Sequence, residues 1–427
     1  MKIKTKKMSY EKVISLEKPK KKKPKKPNIF FRLLLWVVSI PAIILVGFKC
    51  KKVGLEKIEK KEPCLYLMNH SSFIDLEIAA TVLFPRAFNI ICTSDGMIGK
   101  NWLMRQIGCI PTNKFVFDIG LVKDMTYAVK ETKCSILMYP EASYSFDGTA
   151  TPLPESIGSF VKLLGVPVVM IKTEGAFSRD PLYNGLQVRK KVPVSAEMKY
   201  IISKEDTKEK TTEELGAIIE ECFTFDNFRW QQENKVRISE PFRADYLNRV
   251  LYKCPHCLTE GETEGKGTTI KCKSCSAEYE LDEYGYLNRL DGESAFTHVP
   301  DWYAWERECV KKEIESGEYE LHTEVDICML VNTKCIYRVG EGVLSHTKEG
   351  FSLKGCDGKL EYSQKPQASY SLYSDFNWYE IGDVICIGDR KNLYYCFPKG
   401  EKDIVAKARL ATEEMYKLQK AEKRNKK

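Results

Sequence analysis

The spacing of apolar residues changes character several times along the 427-residue chain. Residues 29–48 are apolar almost throughout, interrupted only by Arg32 and Ser39. From Pro63 to about Lys172, short apolar runs alternate with amphipathic stretches. Residues 64–68 and 87–92 read as strands, and 135–139 and 166–171 as short, largely apolar strands of the kind buried on both faces. Residues 72–84 read as a helix, and Ile119, Val122, Met125 and Val129, spaced 3, 3 and 4, mark another. This β-α-β alternation predicts an α/β domain. Residues 186–192 and 198–202 are expected to add edge strands. A helix follows with Leu215, Ile218, Ile219, Cys222 and Phe223 on one face, opened by a capping box of Thr211 and Glu214.

Near Arg249 the pattern changes. Residues 325–330, 342–346, 350–353, 384–387 and 393–397 are short β-like runs separated by turn residues, the signature of a small sandwich or barrel. A last helix carries Ile404, Ala408, Ala411, Met415 and Leu418, spaced 4, 3, 4 and 3, a one-sided packing stripe.

Charge divides the molecule. Residues 1–61 hold 19 basic and four acidic residues, a net +15, and the remaining 366 carry −7. A chain-wide nucleic-acid surface is therefore disfavoured, and a basic arm seeking an anionic surface is expected. Residues 1–28, with twelve lysines and three prolines, bury too little to order themselves alone. Lysines crowd both flanks of residues 29–48. Twenty helical residues would span about 30 Å, a hydrocarbon thickness. However, basic flanks at both ends place both in the cytoplasm, which favours a re-entrant or interfacial helix broken near Pro41 over a single span. A buried soluble helix is the plainer alternative. A cleaved signal peptide is disfavoured, because Lys49, Lys51 and Lys52 follow where small residues would mark cleavage.

Of 16 cysteines, twelve are scattered singly, which reads as a reduced, intracellular chain. The other four form Cys254-Pro-His-Cys257 and Cys272-Lys-Ser-Cys275, 14 residues apart. Two such knuckles predict a Cys₄ zinc ribbon, closed and hence structural. Two disulfides are the alternative, and His256 reads as a bystander. Acidic flanks, among them Glu260, Glu262 and Glu264, disfavour nucleic-acid binding by this ribbon.

Candidate chemistry lies in Asn69-His70-Ser71-Ser72-Phe73-Ile74-Asp75, directly after a predicted buried strand. A turn between His70 and Asp75 would bring the carboxylate onto the imidazole. An Asp there holds one tautomer and stabilises the imidazolium formed when His takes a proton. The same Asp75, three residues after Ser72, also reads as a cap of the next helix.

Later blocks give this motif a context. Gly108 is followed six residues on by Lys114. Tyr139-Pro140-Glu141-Ala142-Ser143-Tyr144-Ser145 follows another buried strand, and Val166-Pro167-Val168-Val169 comes after a helix. In this order and spacing the four blocks resemble the glycerophospholipid acyltransferase family, of the 1-acylglycerol-3-phosphate acyltransferase type, over roughly residues 30–240. The first block, N-H-x-S-x-x-D, matches in full. The second has Lys114 for the family's Arg. The third, typically F-P-E-G-T-R-S, is degraded, with Ala142, Ser143 and Tyr144 replacing Gly, Thr and Arg.

The resemblance implies catalytic His70 and Asp75, and substrate-binding Asn69, Lys114, Glu141 and Ser143. His70 would act as general base on the hydroxyl of a lysophospholipid acceptor, with acyl-CoA or acyl carrier protein as donor and no acyl-enzyme. The expected layout is a basic disordered arm (1–28), a membrane-docking apolar helix (29–48), an acyltransferase-type α/β catalytic domain (49–249), a zinc ribbon (250–290), a helical linker (291–324), and a PH-like β domain with a C-terminal helix (325–427). The metal is a structural Zn held by Cys254, Cys257, Cys272 and Cys275. The expected location is the cytoplasmic face of the cell membrane, in contact with membrane lipid. The acceptor is expected to be 1-acylglycerol-3-phosphate. A lipid acceptor with little headgroup charge, or a non-catalytic membrane adaptor, are the rivals.

Overall fold

A computed structural model describes residues 3–19, 21–116, 118–400 and 402–425. A seven-stranded sheet forms the N-terminal α/β layer, here termed the catalytic layer because it carries the candidate site. Its order is Lys49–Val53, Ser195–Ile202, Val168–Glu174, Leu65–Met68, Ser135–Met138, Phe88–Thr93 and Cys109–Thr112. The last five run parallel, while Ser195–Ile202 is antiparallel to Val168–Glu174 and parallel to Lys49–Val53.

Leu65–Met68 shows why the strands read as unbroken apolar runs. Leu65 and Leu67 pack on one side, against the helices Ile119–Lys130, Ile157–Leu164 and Thr212–Cys222. Tyr66 and Met68 pack on the other, against Ile74–Leu83. Both faces are covered, so alternation disappears. The Thr211–Glu214 capping box forms as expected.

Two strand expectations need correction. Residues 186–192 form no strand: Leu186 and Lys191 both adopt positive φ, and the segment wraps as a loop. The strand Ser195–Ile202 is internal, because Lys49–Val53 covers its outer side. That edge strand, four of whose five residues are lysine or cysteine, has no apolar signature.

The apolar segment forms one helix, Ile29–Leu45, capped by the Asn28 side chain accepting from the Phe31 N–H at 3.1 Å. It is not broken at Pro41 as expected. Packing against Ile74–Leu83, with Trp36 stacked on Phe84 at 5.0 Å, carries the helix through the proline. Leu35 and Ile43 face the core. The opposite face is bare, with Val38 66%, Ile44 71% and Leu45 82% exposed. Among the described residues, no helix is long and apolar enough to cross a membrane.

The described residues of the N-terminal arm are ordered against the rest of the molecule. Thr5–Lys7 adds a parallel strand to Ile336–Arg338, and the short helix Tyr10–Ile14 buries Val13. Farther on, the backbone carbonyls of Lys23 and Lys25 accept from Arg105 (2.8 Å) and Asn89 (2.7 Å). The arm orders by lending backbone groups to both ends of the molecule. Lysine side chains add to this: Lys21 pairs with Asp124 at 3.0 Å, and Lys26 donates to the Thr132 and Lys133 carbonyls.

Beyond residue 249, Thr263–Lys266, Thr269–Cys272, Glu278–Leu281 and Leu287–Arg289 make a four-stranded antiparallel sheet. The helix Val299–Ser316 follows. The remaining strands form one hydrogen-bonded path rather than two packed sheets. Its order is Leu360–Gln364, Gly350–Gly355, Ile336–Thr347, Glu320–Leu330, Leu393–Pro398, Gly382–Gly388 and Tyr373–Trp378. The final helix, Val405–Asn425, is buried on nearly every side from Val405 to Met415, not on one stripe. It lies between the catalytic layer and the C-terminal sheet, so its polar residues Arg409, Thr412, Glu413 and Glu414 are buried too.

Candidate active site

Parallel strands bring distant blocks to one edge. Asn69 and His70 follow Leu65–Met68, Tyr139 follows Ser135–Met138, and Lys114 follows Cys109–Thr112. All three lie at the carboxyl ends of parallel strands, where open α/β sheets form their crevice. The Val166–Val169 block sits at the opposite end of its strand, since Val168 pairs with Leu65. It belongs to the core. The carboxyl end of that strand supplies Thr173, which braces Asn69.

The imidazole of His70 is enclosed by named partners. Nδ1 lies 3.1 Å from Asp75 Oδ2. The same oxygen accepts the N–H groups of Ser71 (2.7 Å) and Ser72 (3.0 Å). Asp75 therefore both orients the histidine and ties down the turn before helix Ile74–Leu83. The capping reading is met only in part: Asp75 accepts the Ser72 N–H, while the N-terminus of Ile74–Leu83 has no side-chain cap. Tyr139 and Tyr144 stack on the two faces of the ring, with centroids 4.2 and 4.0 Å away. With both faces covered and Nδ1 donating to Asp75, the Nε2 edge is what remains for a substrate. The side chain is 19% exposed. Burial holds the imidazole pKa below its ordinary value, against the pull of Asp75, so the ring is unprotonated at neutral pH and free to accept a proton.

Three residues expected at the substrate carry structural loads. The Asn69 Oδ1 accepts from Thr173 N (2.7 Å) and Oγ1 (3.1 Å), and Nδ2 donates to the Thr173 carbonyl (3.2 Å). Both ends of the amide are thus engaged by the neighbouring strand. Glu141 accepts the His70 N–H on Oε2 (2.9 Å) and the Thr151 N–H on Oε1 (2.9 Å), bracing the backbone under the histidine. Burial pushes its carboxyl up to about 7, against these bonds and the Arg409 charge. Ser143 is buried and faces Arg409 Nη1 at 3.5 Å. Ala142 adopts φ of 55°, in the position where the family carries glycine. A Cβ there costs about 1–2 kcal/mol of backbone strain.

Lys114 meets residues the sequence did not single out. Its ammonium lies 4.4 Å over the ring of Tyr373, from the C-terminal sheet, near Asp375 and Asp95. Burial lowers its pKa while these carboxylates raise it. Asp375, likewise buried, is pushed up to about 7, against the Lys114 charge. Asp95 Oδ2 accepts the phenol protons of Tyr373 (2.5 Å) and Tyr395 (3.2 Å). No short-range motif marks Tyr373, Asp375 or Arg409. Only the folded C-terminal sheet and helix bring them here.

Away from this site, the sulfurs of Cys254, Cys257, Cys272 and Cys275 lie within 4.8 Å of one another. Two pairs, Cys254–Cys275 and Cys257–Cys272, are 3.7 and 3.6 Å apart. A tetrahedron built on metal–sulfur bonds of about 2.3 Å has edges of about 3.8 Å, so the cluster fits a four-thiolate metal.

Comparison with known proteins concerns the N-terminal half of the chain. A family model described as acyltransferase matches residues 49–173. The chloroplastic 1-acyl-sn-glycerol-3-phosphate acyltransferase of Brassica napus is 28% identical over 133 residues, which is 30% of this chain and 38% of that protein. The chain thus spans well under half the length of this curated relative. The crystal structure of the 1-acyl-sn-glycerophosphate acyltransferase PlsC from Thermotoga maritima is 19% identical, with a TM-score of 0.35, covering 49% of this chain and 81% of that one. Residues 49–173 are an acyltransferase domain, homologous to 1-acyl-sn-glycerol-3-phosphate acyltransferases.

Proposed function

We propose that the chain is a membrane-associated O-acyltransferase. It moves a fatty acyl group from the thioester of coenzyme A or acyl carrier protein to the hydroxyl of a lysophospholipid, with 1-acylglycerol-3-phosphate as the favoured acceptor. The observation that carries this reading is the Asp75-bound, tyrosine-sandwiched His70 with its Nε2 edge left for substrate. His70 takes the acceptor's hydroxyl proton as the oxygen attacks the thioester carbonyl. The C–S bond then breaks, and the imidazolium returns its proton to the leaving thiolate. The products are an ester and a free thiol.

The test is thiol release from acyl-CoA with lysophosphatidic acid. His70→Ala should fold normally and lose at least about 10²-fold in turnover, the low end for a removed general base. A wild-type chain that turns over neither this pair nor acyl carrier protein substrates would favour the adaptor reading. A second acceptor class is supported by one observation. Lys114 is already faced by Asp375, so a phosphate must compete with a carboxylate, and an acceptor with little headgroup charge need not.

The bare face of Ile29–Leu45, flanked by lysines, supports docking on the cytoplasmic face of an anionic membrane. The four-sulfur cluster supports one structural zinc. Cys254, Cys257, Cys272 and Cys275 would hold it, and it would stabilise the ribbon without entering the reaction. One continuous antiparallel sheet followed by a single helix supports the PH-like reading of the tail.

A further inference from the structure

The third block of this chain lacks its own cation, because Tyr144 stands where the family carries arginine. A guanidinium nevertheless reaches the block from 265 residues away. Arg409, on the helix Val405–Asn425, places Nη1 3.2 Å from the Tyr144 carbonyl and 3.5 Å from Ser143 Oγ. Its guanidinium lies 4.4 Å over the ring of Phe146. The side chain is 3% exposed, so its charge is withdrawn from water. Glu413 answers that charge at 3.3 Å and is itself held by Arg307 (2.7 Å) and Ser371 (2.6 Å). A buried charge triad of this kind gives little net stability against apolar packing, and its attested use is to specify one arrangement.

The helix is anchored on its other side by the ribbon region. Lys407 bridges Glu260 and Glu313, each at 2.7 Å, and Lys253 bridges the same two carboxylates at 3.0 and 3.2 Å. The element that delivers Arg409 is therefore held by the third block on one side and by the ribbon and the helix Val299–Ser316 on the other.

We propose that Arg409 is the positioning residue of the third block, supplied by the C-terminal helix. It holds the Ser143–Tyr144 backbone so that the Tyr144 ring lies on His70, and it sets a positive charge beside Glu141. The acyltransferase site is then incomplete without the C-terminal helix. This inference rests on the acyltransferase reading. Arg409 touches the block rather than the reacting atoms, so its loss acts on turnover more than on substrate affinity.

Its charge has a separate signature. The groups facing Glu141 are the His70 N–H, Thr151, Arg409 and the Tyr370 phenol. Arg409 favours the Glu141 carboxylate. Removing it raises that pKa further, and the protonated acid loses acceptor strength under His70. The acid limb of the pH–rate profile should therefore move to higher pH.

The experiment measures kcat, KM, the pH–rate profile and melting temperature for the full chain and for Arg409→Ala and Arg409→Lys, with acyl-CoA and lysophosphatidic acid. Arg409→Ala should lower kcat at least about tenfold with KM changed less than about threefold, and shift the acid limb upward. Arg409→Lys keeps the charge and loses the fork, so it should keep the wild-type acid limb and recover part of kcat. Millimolar methylguanidinium should partly restore the alanine variant. Unchanged kcat and pH profile, or a kcat loss that only follows a lowered melting temperature, would overturn the proposal. If Arg409→Ala does not fold, Arg409→Lys decides. Full wild-type kcat in the lysine variant overturns the proposal, and a lowered kcat at wild-type melting temperature supports it. If the wild-type chain has no turnover, the acyltransferase reading fails. Positioning is then read by amide hydrogen exchange over residues 141–149, which Arg409→Ala (or the lysine variant) should accelerate while leaving the ribbon unchanged. No acceleration overturns it.

Discussion

At the scale of single residues, the site economises on atoms. One oxygen of Asp75 serves the His70 imidazole and two backbone N–H groups. Asp75→Asn is therefore expected to fail in two assays at once. Turnover should fall about 10²-fold, because an amide no longer stabilises an imidazolium. Stability should drop by about 1–3 kcal/mol, the scale of weakened buried hydrogen bonds, read by thermal unfolding. Lost stability with intact turnover would leave Asp75 as a helix cap only. The two tyrosines on His70 belong to this scale as well. Burial keeps both phenols well above their ordinary pKa, so they are neutral covers and not charge partners.

At the scale of elements, the helix Ile29–Leu45 has two unlike faces, and they should respond differently. Removing the whole helix would uncover Ile74–Leu83 and destabilise the fold, which makes deletion a poor assay for docking. Val38→Asp combined with Leu45→Asp alters only the bare face. That pair should leave the melting temperature unchanged and weaken binding to anionic vesicles at least about tenfold, since each lost apolar side chain is worth about 1.5–3 kcal/mol. Undiminished vesicle binding would count against the docking role. The ribbon is a second element with a direct readout. Metal analysis of protein purified without chelator should find one zinc per chain. Removing it should loosen the ribbon, because binding and folding are coupled in such modules. A metal-free, fully folded ribbon would contradict the assignment.

At the scale of the whole molecule, the catalytic layer and the C-terminal sheet share the site. The sheet contributes the Asp375 carboxyl group near Lys114 and two tyrosines, Tyr373 and Tyr395, whose phenols donate to Asp95. On the proposed acyltransferase reading, acceptor choice depends on both units. Lys114→Ala should cost about 1.5–3 kcal/mol in kcat/KM for lysophosphatidic acid, the scale of a charge-assisted hydrogen bond, and little for uncharged monoacylglycerol. Asp375→Asn should do the reverse and favour the phosphate acceptor, by releasing the ammonium from its carboxylate. Equal effects of each change on both acceptors would remove Lys114 from phosphate recognition and move the acceptor to the uncharged class.

Some of this was legible in the chain alone, because its physics is local. Strands covered on both faces favour unbroken apolar runs, and Leu65–Met68 and the Ile136–Met138 part of its neighbour read that way. The Thr211–Glu214 capping box and the nearness of His70 to Asp75 depend on three to five residues of backbone. The cysteine knuckles meet through two tight turns. The rest depended on where the chain returns. Asn69 spends its amide on a strand about a hundred residues on, and Lys114 finds Asp375 on a distant sheet. Arg409 reaches the third block from the last helix, which reads as one-sided because its buried polar face has no apolar signature. The lysine-rich arm orders through backbone hydrogen bonds and through lysine pairings with residues about a hundred positions on, which composition does not reveal. Local spacing determined which strands are buried and which groups could meet within a turn. Only tertiary packing decided which charges face the histidine, because a buried charge is set by partners that sequence distance does not reveal.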